Sequence, residues 1–421
     1  MGSSARVPIT VIDFGTDKIR VLHGNSDGEG GAQISAFAEA PSEGAVIKGA
    51  IVDHAKAGKI LGSVLDRTEN AASVNDDDRL VLFLLNGFAV NSCRGEGTVM
   101  LHGGGKVEPR HVEDVLAKAH AITLPPGMVS FNSFDGFFVL DRRQRVKSPV
   151  GQEASQLDAY LHILTTEQRV LDQIHNLMFN LGFERKGEPL FNGIASAYGV
   201  LRQEEREQGV LMIDFGHGAC NYVLVCTEGV YFSGVLSVGV AHVANDLAIG
   251  LDLPYDFCLK FLQEDKLEKM RQAGTVFLEY TVSVTGKKRR IPLDSFSKII
   301  EHRLREIYSV ILAKVREKNL NACMTAGVVI CGGGAVIHGS LDAAKTVFSD
   351  SSVRIGEPFG VSGVMTGFEM PPTCYAAVLG ALKYAVDEVS GEEESSLDAV
   401  RNALSRVGEN VLTNVRKVFG K

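Results

Sequence analysis

The chain opens with two short apolar runs hinged on a glycine: Val-Ile-Asp-Phe-Gly at residues 11–15 and, past the turn, Ile-Arg-Val-Leu at 19–22. The phrase returns in the second half as Met-Ile-Asp-Phe-Gly at 212–216, followed by Tyr-Val-Leu-Val at 222–225. Each copy reads as an apolar strand with an aspartate at its tip, a glycine turn and a returning strand. The pattern therefore predicts two similar halves.

Between the copies, a strand-rich stretch from about Leu80 to Thr166 is interrupted by a helical pattern from Pro109 to Ala121. Residues 167–181 then carry apolar positions at helical spacing, so an inserted subdomain is expected to rejoin its parent there. In the second half, helices are expected over Ala241–Leu262 and Phe296–Leu320, separated by a hairpin at 275–284, as a second insertion. An apolar strand at 328–331, a Gly-Gly-Gly-Ala loop at 332–335 with a helical pattern after it, and a small-residue helix at 375–385 follow. After an acidic Gly-Glu-Glu-Glu-Ser-Ser stretch at 391–396, the apolar residues Leu397, Val400, Leu404, Val407, Val411, Val415 and Val418 fall at steps of three and four. Those steps make one helical stripe. Arg401, Arg406, Arg416, Lys417 and Lys421 outnumber Asp398 and Glu409 around it.

Composition narrows the functional classes. At 421 residues the chain is too long for one ordinary core and suggests two to four domains. With 45% hydrophobic and 22% charged residues it belongs among globular proteins. A net charge of −8 opposes binding to a phosphate backbone, so nucleic acid is not an expected partner. The seven cysteines (93, 220, 226, 258, 323, 331 and 374) form no Cys-x-x-Cys pair, which implies neither a zinc site nor a disulfide framework and fits a reducing cytosol. No apolar run approaches the roughly 20 residues that span a bilayer. The first residues show no charged-then-apolar leader, and Arg6 breaks the myristoylation pattern.

Two aspartate-bearing turns facing each other suit a nucleotide di- or triphosphate. Glycine turns bring backbone N–H groups to phosphate oxygens, and Asp13 and Asp214 are placed to hold hydrated magnesium from opposite sides. The Gly332–Gly334 loop admits an adenine or ribose because glycine permits close backbone approach. The simpler reading of each copy is a turn at a strand end. Other nucleotide motifs fail on context: a strand–turn–strand is not a dinucleotide fold, and no kinase catalytic loop accompanies the Asp-Phe-Gly triplets. Gly-Gly-Gly-Lys at 103–106 is not a phosphate loop, since Val107 stands where Ser or Thr must hold magnesium, and it is expected to be a hairpin turn.

This arrangement resembles the actin, sugar-kinase and heat-shock-chaperone ATPase superfamily and, within it, the FtsA family of the bacterial division ring. The resemblance runs from about Val7 to Lys421. Its most specific pieces are Lys-Ser-Pro-Val-Gly (147–151) leading into Leu-His-Ile-Leu-Thr (161–165), Phe-Asn-Gly-Ile-Ala-Ser-Ala-Tyr-Gly-Val-Leu (191–201), and Val-Gly-Val-Ala-His-Val-Ala-Asn-Asp-Leu-Ala (238–248). It implies a two-lobed actin-like α/β ATPase fold, a duplicated ribonuclease H-like unit with the 1C insertion of that family. Residues 6–84, 167–209 and the helix 373–386 would form subdomain 1A, and 85–166 subdomain 1C. Residues 210–249 and 321–372 would form 2A, 250–320 would form 2B, 387–396 a linker, and 397–421 an amphipathic membrane-targeting helix.

By the same resemblance, ATP and Mg2+ would be held by Asp13, Gly15, Thr16, Asp214, Gly216, His217, Gly218, Gly239, Gly332, Gly333 and Gly334, with the two aspartates on the metal. Glu301, Arg303 and Glu306 would meet the C-terminal peptide of FtsZ. The tail would meet anionic lipid, with Arg401, Arg406, Arg416 and Lys417 as basic contacts. Self-association into actin-like filaments, further division partners on 1C, and a peripheral place on the inner membrane face at the division site are implied as well. The residues themselves allow the Glu301–Glu306 stretch to be a solvated helix face laced by charge pairs.

The chain departs from the family pattern. His217 and Ala219 replace a glycine and a threonine of the second phosphate turn, Gly239-Val240 replaces a glycine pair, and Cys-Leu-Lys-Phe-Leu at 258–262 lacks the acid and lysine that contact the nucleoside. Weak or absent hydrolysis is expected. His217 either donates to a phosphate or is simply tolerated in a wide turn. Two alternatives remain open: a soluble chaperone-like or sugar-kinase-like ATPase, and a scaffold like the pilus-assembly protein PilM.

Overall fold

The computed structural model describes residues 7–26, 31–72, 79–183, 187–226, 229–281 and 286–391. Strand β1 (Ile9–Phe14) is buried at all six positions because it runs inside a sheet. It is antiparallel to β2 (Lys18–Ser26), which continues to β3 (Ala32–Pro41). A small hairpin of β4 (Val46–Ile47) and β5 (Ala50–Ile51) leads into α1 (His54–Ala72), and β6 (Leu80–Leu85) returns parallel to β1. A strand flanked on both sides and covered on both faces reads as an unbroken apolar run, which is why the aspartate at its tip stands out.

Between β6 and the rest of this lobe sits the insertion. Strand β7 (Asn91–Lys106), helix α2 (Pro109–His120), and strands β8 (Met128–Leu140), β9 (Gln144–Val146) and β10 (Glu153–Glu167) build an antiparallel sheet of order β7-β10-β8-β9. Its own core packs Leu157, Ala159, Leu161 and Ile163 of β10 against Val112, Val115 and Leu116 of α2. Residues 103–106 are not a hairpin turn. They end β7, with Gly103 and Gly104 at φ +78° and +66° forming a bulge, and Lys106 still pairs with Glu153.

The lobe resumes with α3 (Gln168–Asn180) and β11 (Glu188–Phe191), which lies parallel to β6 at the sheet edge. Helices α4 (Asn192–Val200) and α5 (Gln203–Gln208) cross to the second lobe. There β12 (Val210–Phe215), β13 (Cys220–Cys226) and β14 (Gly229–Leu236) repeat the β1–β2–β3 meander. The face of the insertion sheet turned away from α2 meets β14: His162 Nε2 and Ser233 Oγ share a buried hydrogen bond of 2.8 Å, and Phe137 lies between Tyr160 and Tyr231.

A second excursion follows through α6 (Val240–Leu251), α7 (Tyr255–Gln263), α8 (Lys266–Gln272), β15 (Phe277–Thr281), β16 (Lys288–Pro292) and α9 (Leu293–Glu317). The hairpin expected at 275–284 is larger: its return strand comes only at 288–292. On α9, Phe296, Ile300, Leu304, Ile307, Ile311 and Val315 form a buried stripe, and Phe296 stacks on Phe261 of α7 at 4.5 Å.

Strand β17 (Gly327–Cys331), helix α10 (Ser340–Val347) and strand β18 (Val353–Ile355) complete a sheet of order β14-β13-β12-β17-β18. The first lobe has the corresponding order β3-β2-β1-β6-β11, so the halves repeat as expected. Two boundaries shift. Strand β19 (Val361–Gly363), placed with 2A by the division at 321–372, pairs with β3 in the first lobe, and Phe368 stacks on Phe37 beside it. The final helix α11 (Ala376–Gly391) runs past 386 into the stretch expected as linker. It crosses α4 closely enough that a methyl on Gly380 would lie 1.8 Å from the Ala195 carbonyl oxygen. No described helix is long and apolar enough to cross a membrane.

Candidate functional site

Because β1 and β2 are joined by a tight turn, their register puts Asp13 opposite Arg20, and the next register puts Arg20 opposite Glu39. Arg20 uses both neighbours: Nη1 donates to Asp13 Oδ2 at 3.1 Å and Nε to Glu39 Oε2 at 2.9 Å, while Lys18 pairs with the other Glu39 oxygen. Cross-strand pairs of opposite charge thus form a ladder over three strands. In the second lobe the equivalent position is Asn221, opposite Asp214. Its amide reaches Asp214 Oδ2 at 3.3 Å, and Asn192, the first residue of α4, donates to the same oxygen at 2.6 Å. The duplicated turns therefore carry different chemistry. One carboxylate is paired with a cation and the other with two neutral amides.

That difference shows in the protonation equilibria. Burial pushes the Asp214 carboxyl up to about 6, with the amide of Asn221 opposing and the charge of Asp13 adding to the shift. Asp13 is raised too, by burial, but the Arg20 guanidinium opposes it. On Asp13, Asn192 and Asn221 the Oδ1 atoms are buried without a hydrogen-bond partner in the protein.

Between the lobes lies a cavity of about 300 Å3. Asp13, Gly15, Thr16, Asp214, Gly216, His217, Gly218, Gly332 and Gly333 all line it, so most of the expected nucleotide contacts meet in one place. Two expected residues do not. Gly239 backs the second turn, where a methyl would lie 2.4 Å from the His217 carbonyl oxygen, and Gly334 lies beneath the Phe215 ring, 2.2 Å from where a methyl would be. His217 does line the cavity; burial lowers its imidazole and Asp17 across the cleft opposes that. Lys18, Arg20, Asn86 and Cys374 line it without having been singled out. Of the stretch 258–262, Cys258 and Phe261 are buried in the core of the second excursion, whereas Leu262, with Gln263 and Glu264 at the helix end, lines the cavity. A larger open groove of about 520 Å3 between α1 and α3 shares no residue with the cleft.

The residues fit a polyphosphate and a hydrated cation. A methyl on Gly332 would lie 2.4 Å from Asp214 Oδ1, and one on Gly15 or Gly216 would press on its own turn at 2.7 or 2.8 Å, so the backbone amides stay accessible only because no side chain stands there. The unpartnered Oδ1 of Asp13 leaves one oxygen for a water of a metal ion, Oδ2 being taken by Arg20.

The charged face of α9 is already paired within the chain. Arg303 holds both oxygens of Asp246 on α6, with Nη2 to Oδ1 at 3.0 Å, and Nη1 reaches Glu306 at 2.8 Å. Glu301 pairs with Arg305 at 2.6 Å. The tail residues Leu397, Val400, Leu404, Val407, Val411, Val415 and Val418, with Arg401, Arg406, Arg416 and Lys417, lie outside the described residues.

Comparison with known proteins agrees with this architecture. Residues 87–165 match a family described as the SHS2 domain inserted in FTSA. Over 409 residues the chain is 24% identical to the cell division protein FtsA of Pseudomonas aeruginosa, covering 95% of this chain and 96% of that one. It is 27% identical over 389 residues to FtsA of Borreliella burgdorferi, covering 89% and 90%. Among solved structures, a chain of the PilM–PilN type IV pilus biogenesis complex superposes with a TM-score of 0.59 at 14% identity, covering 90% of this chain and 98% of that one. MreB5 of Spiroplasma citri does so with 0.53 at 12%, covering 92% and 99%. The fold is actin-like.

Proposed function

Because the chain belongs to the FtsA family of actin-like cell-division proteins, we propose that it tethers FtsZ filaments to the inner face of the cytoplasmic membrane at the division site. The observation that carries this reading is the SHS2-type insertion, with its own core, set into the first lobe of a duplicated actin-like fold. In this reading the chain is peripheral on the membrane and self-associates into actin-like filaments. It meets the FtsZ C-terminal peptide on the α9 face carrying Glu301, Arg303 and Glu306, and leaves the insertion for further division partners.

The stripe from Leu397 to Val418 is the membrane helix of this proposal. Burying its apolar side chains at the headgroup boundary, with roughly 1 kcal/mol from each basic residue near anionic lipid, gives reversible attachment. Gly408 weakens the free helix, so its folding accompanies binding. In the cleft, ATP with Mg2+ would sit on the glycine turns, with Lys18 and Arg20 facing its phosphates and Asp13 and Asp214 on the metal's waters. Bound magnesium would screen charge between the phosphates. Hydrolysis would be weak or absent, because His217 and Ala219 alter the second phosphate turn and the side-chain amide of Asn192, a polar residue lining the cavity, is engaged with Asp214. Structures of MreB5 bound to ADP and to AMPPNP support a nucleotide in this fold.

The test is flotation of the full chain with anionic vesicles, alone and with FtsZ. The full chain should float and carry FtsZ upward, whereas a chain ending at residue 396, or one with Val411→Glu and Val415→Glu, should stay at the bottom. Flotation undiminished by either change, or no recruitment of FtsZ, would overturn the tether.

A further inference from the structure

Resting on the reading of the chain as a peripheral membrane protein held by its tail, we propose that the β8–β9 end of the insertion is a second membrane contact. There Arg142, Arg143, Arg145 and Lys147, beside Val150, meet anionic lipid headgroups and set the orientation in which the body sits. On a chain of net charge −8, four cations within six residues stand apart. All four are exposed, and among the described residues none of Arg142, Arg143 and Lys147 is in an ion pair. The acid of the turn, Asp141, is used inward: its Oδ1 accepts the N–H groups of Ser155 and Gln156 at 2.8 and 3.0 Å. Those bonds brace a turn in which Asp141 and Arg142 take φ +50° and +60°, closed by the Arg143 N–H on the Leu140 carbonyl at 2.9 Å. Asparagine or glycine fits such a turn with less strain, yet an arginine stands at its tip. Arg145 lies 4.3 Å from the centre of the Phe137 ring and donates to the Tyr231 hydroxyl at 3.4 Å. Strand β9 ends the order of its sheet, so the row runs along an outer rim, with Val150 41% exposed next to it. Cations and an apolar side chain on one rim match headgroups over acyl chains.

The place of the row relative to the tail favours lipid over an acidic protein segment. Helix α11 starts at the cleft, where Ala376 and Ala377 line the cavity, and runs away from it. On its way Tyr384 packs edge-on against Tyr198 of α4 at 5.0 Å, and Arg206 of α5 lies over that Tyr198 ring at 5.9 Å. Gly209, which caps α5, stands against the end of β13, where a methyl would lie 3.2 Å from Cys226 Sγ. Strand β14 then starts at Gly229, two residues before the Tyr231 that Arg145 reaches. The end of α11, which leads to the tail, and the row thus share the side of the molecule remote from the phosphate turns. Helix α9 also comes down to this side, since Cys323 beyond it backs Gly209, but Arg303 stands fourteen residues, about 21 Å of helix, above Glu317. A body resting on the row therefore holds that part of α9 away from the lipid. The row orients and does not anchor: linked to the tail it acts at high effective concentration, and without the tail it has only its own charge.

The test is partition of the full chain onto phosphatidylcholine vesicles with and without phosphatidylglycerol. Each basic residue near anionic lipid is worth about fivefold in partition. Arg142→Gln, Arg143→Gln and Lys147→Gln together should therefore weaken binding to the anionic vesicles about tenfold or more, a deficit that shrinks as salt is added. On phosphatidylcholine alone parent and variant should match, and thermal unfolding checks that the variant is folded. A second measurement leaves the cations in place. The chain has no tryptophan, so Val150→Trp supplies a single reporter, which lipids brominated on their acyl chains should quench. Phe277→Trp, on the hairpin of the second excursion, should stay unquenched on the same vesicles. Unchanged partition of the folded triple variant, or an unquenched Val150→Trp chain, would overturn the contact while leaving anchorage by the tail intact, and the row would then be open to an acidic protein segment. Failure of the parent chain to bind anionic vesicles at all would overturn both.

Discussion

Asn192 donates its side-chain amide to Asp214 at 2.6 Å, so the residue that follows the edge strand of one lobe holds the strand-tip carboxylate of the other. The carboxylate is 6% exposed and has no cation bonded to it, unlike Asp13, which has Arg20. Neutral donors stabilise an ionised carboxylate less than a guanidinium does, and burial prevails.

Asp214 therefore makes folding depend on pH in an unusual sense. Its carboxyl titrates near 6 in the folded chain against an ordinary 3.8, so the folded state holds the proton more tightly. The stability it contributes is complete below about pH 4 and is lost as pH rises through about 6, a term on the order of 3 kcal/mol. Replacing Asp214 with Asn should make the chain more resistant to urea at pH 7.5, with the gain vanishing near pH 4. Midpoints that run parallel across this range would show that the carboxyl is not shifted upward.

A second expectation concerns the crossing of α4 and α11. Gly380→Ala would set a methyl 1.8 Å from the Ala195 carbonyl oxygen and 2.6 Å from the Gly199 nitrogen, which is backbone and yields only if the helices separate. The cost should reach or exceed the 1–3 kcal/mol or so of ordinary overpacking. Gly333→Ala meets nothing within 4 Å and should change stability by less than about 0.5 kcal/mol. Comparable thermal shifts for the two variants would contradict this packing.

Arg303 is occupied by Asp246 and Glu306, so an acidic FtsZ peptide has to compete for it. Asp246→Asn keeps the shape and releases the guanidinium. If the FtsZ contact is through Arg303, peptide affinity should rise about threefold to tenfold, and added salt should reduce the gain. Unchanged affinity by fluorescence anisotropy would assign Arg303 a purely structural part, joining α6 to α9.

Much of this was legible in the chain. The paired turns announce themselves because buried apolar strands leave an aspartate and a glycine conspicuous; the insertion shows as a strand-rich stretch ending near Thr166, but its start is hidden because β6 (Leu80–Leu85) of the main sheet runs straight into it. Arg20 was not legible as a site residue: it sits in an apolar strand, and only the register of β1 with β2 brings it opposite Asp13. Gly334 looks identical to its neighbours in the triplet, yet Gly332 takes φ +84° facing the cavity while Gly334 receives the Phe215 ring. Strand β19 is only three residues long, too short to reveal which sheet it would join.

The last expectation links the insertion to the cleft. Asn132 of β8 serves the edge of β11 as a neighbouring strand would, donating to the Pro189 carbonyl at 2.9 Å and accepting the Phe191 N–H at 3.1 Å. The next residue is Asn192, so the pose of the insertion fixes the backbone from which Asp214 is held. Asn132→Ala removes both bonds and leaves a donor on β11 unpaired, at a cost of about 1–3 kcal/mol. Loss of anchorage should also loosen the Asn192 amide, raising the Asp214 carboxyl further and moving the pH transition described above to higher pH. Simple loss of edge support would leave that transition where it is. Combining Asn132→Ala with Asn192→Ala should then be non-additive by more than about 0.5 kcal/mol, since the second change removes what the first disturbs. Additive urea midpoints together with an unmoved pH transition would mean that the insertion and the cleft are energetically independent.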